Sequence, residues 1–305
     1  MKSMKVTQET AGDYLCVRLF GGLGNQMFQY AAALAQAKRL GAKLLMHAVG
    51  SERLEHASFG LAAFPITADV WEQDDVDTSS LLAKLSGKAR QEKRKKKHGD
   101  HWPGPRYQYD SLTVSDDIRT VKKGSYIAGY FQSEDYFLDQ ADAIRAEFSL
   151  AQLEGALDAD SKARVESSGS VSVHIRRGDY LYDPKVLKIH GIMEDVYYQR
   201  ARKLIEKAVP DCHFCIFSDD REAADQLTRD WPNRTLMPEA DRMHDLALMS
   251  KCSHHIIANS SFSWWGAWLN PDPHKLVIGP RRWYTREHML TTYIDDICPR
   301  GWILV

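Results

Sequence analysis

The chain has 305 residues, 44% of them hydrophobic, and its 40 basic and 41 acidic side chains leave a formal net charge of −1. That length supports two domains with cores of their own, and the near-zero charge excludes the basic footprint that a nucleic-acid partner requires. Five cysteines (Cys16, Cys212, Cys215, Cys252 and Cys298) show no regular spacing, an odd and unpatterned set that indicates a reducing compartment. Cys212-His213-Phe214-Cys215 is a lone Cys-x-x-Cys, without the second pair that a zinc site needs. No apolar run reaches the roughly 18 residues that span a bilayer. The opening Met1-Lys2-Ser3-Met4-Lys5 leads into a strand without a signal-like apolar core.

Residues 15–20, Leu-Cys-Val-Arg-Leu-Phe, predict a buried strand. Gly21, Gly22 and Gly24 turn it into a helix that carries Met27, Phe28, Tyr30, Ala31 and Leu34 and closes near Gly41. A strand, a glycine turn and a helix N-terminus aim backbone amides and the positive end of the helix dipole at an anion. Gly-x-Gly-x-x-Gly is not satisfied, since Met27 stands where the third glycine belongs, and no Gly-Lys-Ser/Thr follows. Neither a dinucleotide fingerprint nor a P-loop is therefore read. Glycines that only permit a tight turn remain the alternative.

Residues 51–130 carry less pattern. The basic run from Lys88 to Lys97 includes Lys93-Arg94-Lys95-Lys96-Lys97 and precedes the Pro103-Gly104-Pro105 break. Such a run serves as a solvated face or loop, or as a contact for an anionic membrane surface. Asp75-Val76-Asp77 and Asp158-Ala159-Asp160 have the Asp-x-Asp spacing of metal-dependent sugar-nucleotide transferases. Neither follows an apolar strand and both precede helix-like runs, so both are read as helix caps and no metal ligand is expected. Residues 124–132 alternate like a strand, residues 133–137 read as a helix entry, and a polar, alanine-rich stretch ends at Ser170. The domain junction is placed there, giving domains 1–165 and 166–305.

From Ser170 the pattern is regular. Val171, Val173 and Ile175 alternate with small or polar residues, which predicts a strand with one buried face. Helices are expected over 194–209, 220–230, 241–252 and 260–269, and strands over 213–217, 255–258 and 275–279; this alternation means a parallel sheet covered on both faces. Arg176-Arg177-Gly178-Asp179, Ser218-Asp219-Asp220 and Asn259-Ser260-Ser261 each follow the carboxyl end of a strand. Ligands of open α/β sheets bind at that edge. The planar forks of Arg176 and Arg177 suit phosphate oxygens and stay charged at neutral pH, although a surface Arg–Asp ion pair would use the same residues. Asp219 and Asp220 can cap a helix or accept from a guanine amino group or a ribose hydroxyl. Asn259, Ser260 and Ser261 can cap the following helix or serve a diphosphate. Trp264, Trp265 and Trp268 sit at helical spacing, which predicts core packing.

His174-Ile175-Arg176-Arg177-Gly178-Asp179-Tyr180 resembles the signature of the α-1,2-fucosyltransferases, glycosyltransferase family 11. Two further blocks, residues 21–30 (Gly-Gly-Leu-Gly-Asn-Gln-Met-Phe-Gln-Tyr) and residues 259–269 (Asn-Ser-Ser-Phe-Ser-Trp-Trp-Gly-Ala-Trp-Leu), resemble the same family in the same order. The resemblance implies an α/β, GT-B-type enzyme with two Rossmann-like domains facing a cleft. Residues 1–165 would be the acceptor side, with the glycine-rich turn and the basic insertion, and residues 166–305 would bind GDP-fucose. The implied reaction is inverting transfer of L-fucose from GDP-fucose to the 2-hydroxyl of a terminal galactose in a surface glycan or oligosaccharide. Gly22, Gly24, Asn25 and Gln26 would contact the donor. Arg176 and Arg177 would hold the phosphates and assist departure of GDP, replacing a metal ion, and Asn259, Ser260 and Ser261 would serve the diphosphate. Asp219 and Asp220 would serve the guanine. Asp179 is the candidate general base, or else an anchor for Arg176 or Tyr180, and His174 would orient the turn. Eukaryotic members usually carry a membrane anchor ahead of the first glycine block. This chain has no room for one, which implies a bacterial cytoplasmic enzyme; the charge of the run at Lys88–Lys97 would suit a peripheral contact with the inner membrane if the glycan is lipid-linked, or serve solubility alone. The alternatives are a GDP-fucose-dependent transferase with another acceptor, a non-catalytic carbohydrate-binding protein and a nucleotide-binding regulator.

Overall fold

The computed structural model describes residues 2–48, 59–71, 102–109, 114–178, 184–285, 287 and 296–305, and the chain divides into two compact units, Met1–Glu147 and Phe148–Val305. The expected junction at 165/166 is corrected to 147/148. Leu157 and Val165 explain why: they are buried with Cys215, Phe217, Ala247, Leu248 and Cys252 in the core of the second unit. The polar stretch that looked like a linker is thus the first helical layer of that unit. Among the described residues no helix is long and apolar enough to cross a membrane.

The first unit is built on strands β1 (Ser3–Met4), β2 (Tyr14–Leu19), β3 (Lys43–Ala48), β4 (Asp69–Trp71), β5 (Arg106–Gln108) and β6 (Tyr126–Ala128). They form one sheet in the order β1-β4-β3-β2-β6-β5, with every pair parallel. The chain lays strands to one side of β2 and then returns to the other, so a topological switch point lies between the carboxyl ends of β2 and β6. Helix α1 (Leu23–Leu40) follows β2 directly. Its alanine-rich middle has high helix propensity and lets it lie close on the sheet, and it is buried over most of its length. Gly41 ends it in the left-handed conformation, φ 60°, with Lys38 and Arg39 in the last turn complementing the dipole. A short helix, α2 (Ala141–Glu147), closes the unit, and Glu147 accepts from the Tyr30 hydroxyl at 2.8 Å and the Thr67 amide at 2.7 Å.

The second unit holds β7 (Ser170–Ile175), β8 (His213–Ser218), β9 (Arg234–Leu236), β10 (His254–Ile256), β11 (Val277–Gly279) and β12 (Ile303–Leu304). Its helices are α3 (Ala159–Val165), α4 (Pro184–His190), α5 (Asp195–Ala208), α6 (Arg221–Thr228), α7 (Arg242–Lys251) and α8 (Ser261–Leu269). The sheet order β12-β11-β10-β7-β8-β9 is parallel throughout. Numbered from β7, this is the Rossmann order 3-2-1-4-5-6, with the switch point between β7 and β10.

On one face Val171, Val173 and Ile175 pack with Phe214 and Ile216 under Tyr197, Tyr198, Ala201 and Ile205 of α5 and Ala224 and Leu227 of α6. Each Val, Ile, Leu or Phe side chain withdrawn from water here contributes about 1.5–3 kcal/mol. The expectation of a single buried face on β7 is corrected, since all six of its residues are buried. Ser170 and Ser172 are satisfied there: Ser170 Oγ donates to the Val165 carbonyl at 2.6 Å, Ser172 Oγ lies 2.8 Å from His255 Nδ1, and the Asn270 amide lies 3.3 Å from His255 Nε2. Trp264, Trp265 and Trp268 are core residues, as their spacing predicts, and Trp264 donates its ring N–H to the Ile297 carbonyl at 2.8 Å.

Candidate active site

In the second unit, register places the three polar clusters together. Ile175 pairs with Ser218 across β7 and β8, and Val173 pairs with Ile256 across β7 and β10, so the residues that follow leave the sheet at one carboxyl edge. Asp219 organises this edge. Its Oδ2 lies 2.7 Å from Arg176 Nη1 and its Oδ1 accepts the Arg177 amide at 2.8 Å. Ser218 Oγ accepts the Asp220 amide at 3.0 Å and lies 2.7 Å from the Ile175 carbonyl, tying the ends of β7 and β8. A methyl group on Gly178 would stand 2.3 Å from Asp219 Oδ2, so only glycine lets the turn close on that carboxylate.

The two arginines diverge. Arg176 is held by Asp219 with both side chains still about a quarter to a third exposed, at 30% and 26%. Arg177 is more deeply buried and reaches toward Asp195 on the first turn of α5, 3.8 Å away. His174 is buried with its ring 5.8 Å from that of Phe262. Desolvation, reinforced by the Arg176 charge and opposed by Asp219, pushes its pKa down to about 4, so the imidazole is neutral near pH 7. The Tyr198 hydroxyl donates to the His174 carbonyl at 3.1 Å and fixes the strand end from the other face.

The acidic pair divides its labour. Asp220 caps α6, accepting the Ala223 amide at 3.0 Å, and Asp219 grips the arginine turn. Asn259 leaves β10 at the switch point, and its Nδ2 donates to the carbonyls of His190, 2.9 Å, and Trp283, 3.2 Å. Its amide N–H groups, expected to serve the diphosphate, here bind the end of α4 and the segment at Trp283. Ser260 is the N-cap of α8 without making a side-chain cap bond, and Ser261 opens the helix. The first-turn amides of α8 therefore start from the same carboxyl edge of the sheet. Asp158 caps α3 through the Ser161 amide at 2.8 Å, as its spacing predicts. Asp179, Tyr180, Asp75, Asp77 and the run Lys88–Lys97 lie outside the described residues.

One titratable group at this end escaped sequence reasoning. Asp245, in the first turn of α7, is pushed up to about 7 by burial and the Asp241 carboxylate, while His244 and Arg221 oppose the shift. The only available signal was an aspartate in the first turn of a helix, which usually marks nothing but the dipole.

In the first unit, Gly21 takes φ +76°, a conformation that favours glycine, and Gly22 is the N-cap of α1. Gly24 is buried in the first turn of that helix. Asn25 Oδ1 accepts from Gln132 Nε2 at 2.8 Å, joining the turn after β2 to the segment after β6. Gln26, expected to offer a donor to the nucleotide, instead braces its own turn. Its Nε2 donates to the Gly21 carbonyl at 2.8 Å and its Oε1 accepts the Gly60 amide at 3.0 Å. Gln29 was not singled out in the sequence, yet its amide accepts the Phe20 N–H at 2.9 Å and donates to the Phe20 carbonyl at 3.2 Å.

The chain is thus an α/β protein of two parallel Rossmann-like sheets, the second carrying a guanidinium-bearing turn at the carboxyl end of β7. The chain belongs to glycosyl transferase family 11, whose family model matches residues 3–305. It is 32% identical to an alpha-1,2-colitosyltransferase of Escherichia coli, over 94% of this chain and 97% of that protein. It is 31% identical to the O-antigen biosynthesis glycosyltransferase WbnK of Escherichia coli, over 93% of this chain and 98% of that protein. Among solved structures, the NodZ alpha-1,6-fucosyltransferase co-crystallised with GDP is similar at 17% identity, over 85% of this chain and 93% of that chain, with a TM-score of 0.49.

Proposed function

We propose that this glycosyltransferase moves L-fucose from GDP-fucose to the 2-hydroxyl of a terminal galactose, inverting the anomeric carbon, in a surface glycan of the O-antigen kind or a related oligosaccharide. The observation that carries the reading is the Arg176–Asp219 pair, 2.7 Å apart where β7 and β8 end at the carboxyl edge of the second Rossmann sheet, the edge from which α8 also starts. A guanidinium fixed in this way, with uncapped helix amides and the hydroxyls of Ser260 and Ser261 at the same edge, suits the charge that develops on a departing nucleoside diphosphate. Arg177 supports the turn and adds its charge; no metal is needed in this scheme. Asp219 and Asp220, beyond the arginine turn and the helix cap they hold, offer carboxylate lone pairs to the guanine or the ribose. Asp179, directly after Gly178, remains the candidate base. Lys88–Lys97 would hold the enzyme near an anionic membrane if the acceptor is lipid-linked.

A second donor is favoured by one relative, which is named a colitosyltransferase. Colitose is L-fucose without its 3-hydroxyl, so the two donors share the GDP and differ by one oxygen. The test is a panel of galactose-terminated disaccharides offered with GDP-fucose and, separately, GDP-colitose, in EDTA, with product linkage read by NMR. An α-1,2-fucosyl galactoside formed under chelation supports the proposal. Turnover only with GDP-colitose moves the assignment to that donor, and loss of turnover on chelation with recovery in manganese sinks the metal-free scheme.

A further inference from the structure

The first unit carries a second group of side chains at its own switch point, and the donor reading leaves it unused. The chain runs from β2 into Phe20 and from β6 into Tyr130, and these two rings meet edge to face with centroids 5.0 Å apart. Arg18 lies two residues before Phe20, on the same face of β2, and its Cζ stands 5.3 Å from the centre of the Phe20 ring. Among the described residues Arg18 makes no hydrogen bond and no ion pair, and its Nε is buried without an acceptor. A partly buried guanidinium without an anion or a carbonyl is an expensive arrangement, and the ring beneath it offsets only part of the cost.

The backbone beside it is strained as well. Phe131 takes φ 52°, a left-handed conformation that an aromatic residue rarely adopts. It is locked there because its ring is buried between Tyr109 and Tyr136, with centroids 5.4 Å from each. Strain of this kind persists where the surroundings fix it, and it clusters at binding sites. Its effect here is to leave Tyr130 38% exposed while Gln132 turns back to Asn25.

We propose that Tyr130, Phe20 and Arg18 form an acceptor-sugar subsite, in which the ring of Tyr130 takes the apolar C–H face of a terminal pyranose and the Arg18 guanidinium donates to that sugar's oxygens. The inference rests on the reading of the chain as a transferase with a glycan acceptor. An aromatic body provides stacking area at small entropic cost, and a planar fork matches two adjacent hydroxyls or one carboxylate. The shared chemistry is a pyranose presenting paired oxygen acceptors.

The test uses the full chain with saturating GDP and measures binding of methyl β-galactoside and methyl β-galacturonide by calorimetry and saturation-transfer NMR. Tyr130→Ala and Arg18→Gln each weaken sugar binding by about tenfold or more, Tyr130→Phe stays within about twofold, and the GDP affinity of all three is unchanged. A larger loss in Arg18→Gln for the galacturonide identifies a carboxylate as the partner; equal losses identify a hydroxyl pair. Arg18→Lys, which keeps the charge on a flexible stem, guards against a fold defect in the glutamine variant and retains partial binding. Full sugar affinity in Tyr130→Ala overturns the proposal, as does parallel loss of GDP and sugar, or binding of neither sugar by the unaltered protein. Sugar binding that depends on Tyr130 without transfer from GDP-fucose leaves the subsite standing and rejects the donor.

Discussion

Asp219 grips Arg176 directly, Oδ2 to Nη1 at 2.7 Å, and with its other oxygen accepts the amide of Arg177 at 2.8 Å. One carboxylate therefore aims the guanidinium and fixes the backbone that carries it. Because both side chains are part-exposed, the ion pair itself contributes little to stability, about 0–1 kcal/mol. Its value lies in position. Asp219→Ala should lower kcat/KM for the nucleotide-sugar by about 10- to 100-fold while shifting the melting temperature by only a few degrees. Steady-state kinetics beside a thermal melt checks the split, and wild-type turnover in the alanine variant would show that Arg176 does not need this anchor.

Gly178 offers a way to disturb the same carboxylate without touching it. A Cβ there would sit 2.3 Å from Asp219 Oδ2 and 2.9 Å from its Cγ, which forces the carboxylate aside. Gly178→Ala should reproduce the kinetic loss of Asp219→Ala. Because both changes act through one contact, the double variant should be scarcely worse than either single one, a non-additivity that a double-mutant cycle reads directly. Additive losses would mean that glycine serves the turn in some other way.

His174 makes the fold sensitive to acid. Its folded pKa of about 4 lies below the ordinary 6.5, chiefly through desolvation and then through the Arg176 charge. Between those values the unfolded chain binds the proton and the folded one does not, so stability rises with pH across that window. The contribution is complete above about pH 6.5 and is lost as pH falls toward 4, by an amount on the order of a few kcal/mol. Chemical denaturation at pH 7, 5.5 and 4.5 should show the loss. His174→Gln should flatten the slope without abolishing it, since buried His255 is held neutral by desolvation too.

Much of the second unit was legible because each strand is a short apolar run closed by a polar cluster, as in Val171 to Asp179 and His213 to Asp220. What the pattern could not show was what those polar residues touch. Ser172 and His174 alternate with valines and look solvent-facing, yet α7 and α8 lie on that side and His255 satisfies Ser172. Arg176 and Arg177 are indistinguishable as letters, and only the packing of α5 sends the second toward Asp195. The bracing roles of Gln26 in the first unit and Asn259 in the second stayed hidden, because an amide that bonds backbone has the same sequence signature as one that bonds ligand. Phe131 gave no signal at all, since nothing in the letters around it calls for a left-handed aromatic.

Asn259 lies where a ligand donor was expected, but its Nδ2 is divided between the carbonyls of His190 and Trp283. The two segments it joins are further laced by the Thr285 amide to the Ile189 carbonyl at 2.8 Å and by the rings of His190 and Tyr284, 5.0 Å apart. Removing the amide leaves two carbonyls without their donor, which costs about 1–3 kcal/mol when such groups are buried. Asn259→Ala should therefore lower stability by that amount in urea denaturation. Asn259→Asp should be worse despite its closer shape, because it places an acceptor-only carboxylate against two carbonyl oxygens. The order Asn above Ala above Asp is the signature of a donor facing backbone; an aspartate variant as stable as the native chain would show that the two carbonyls find other partners.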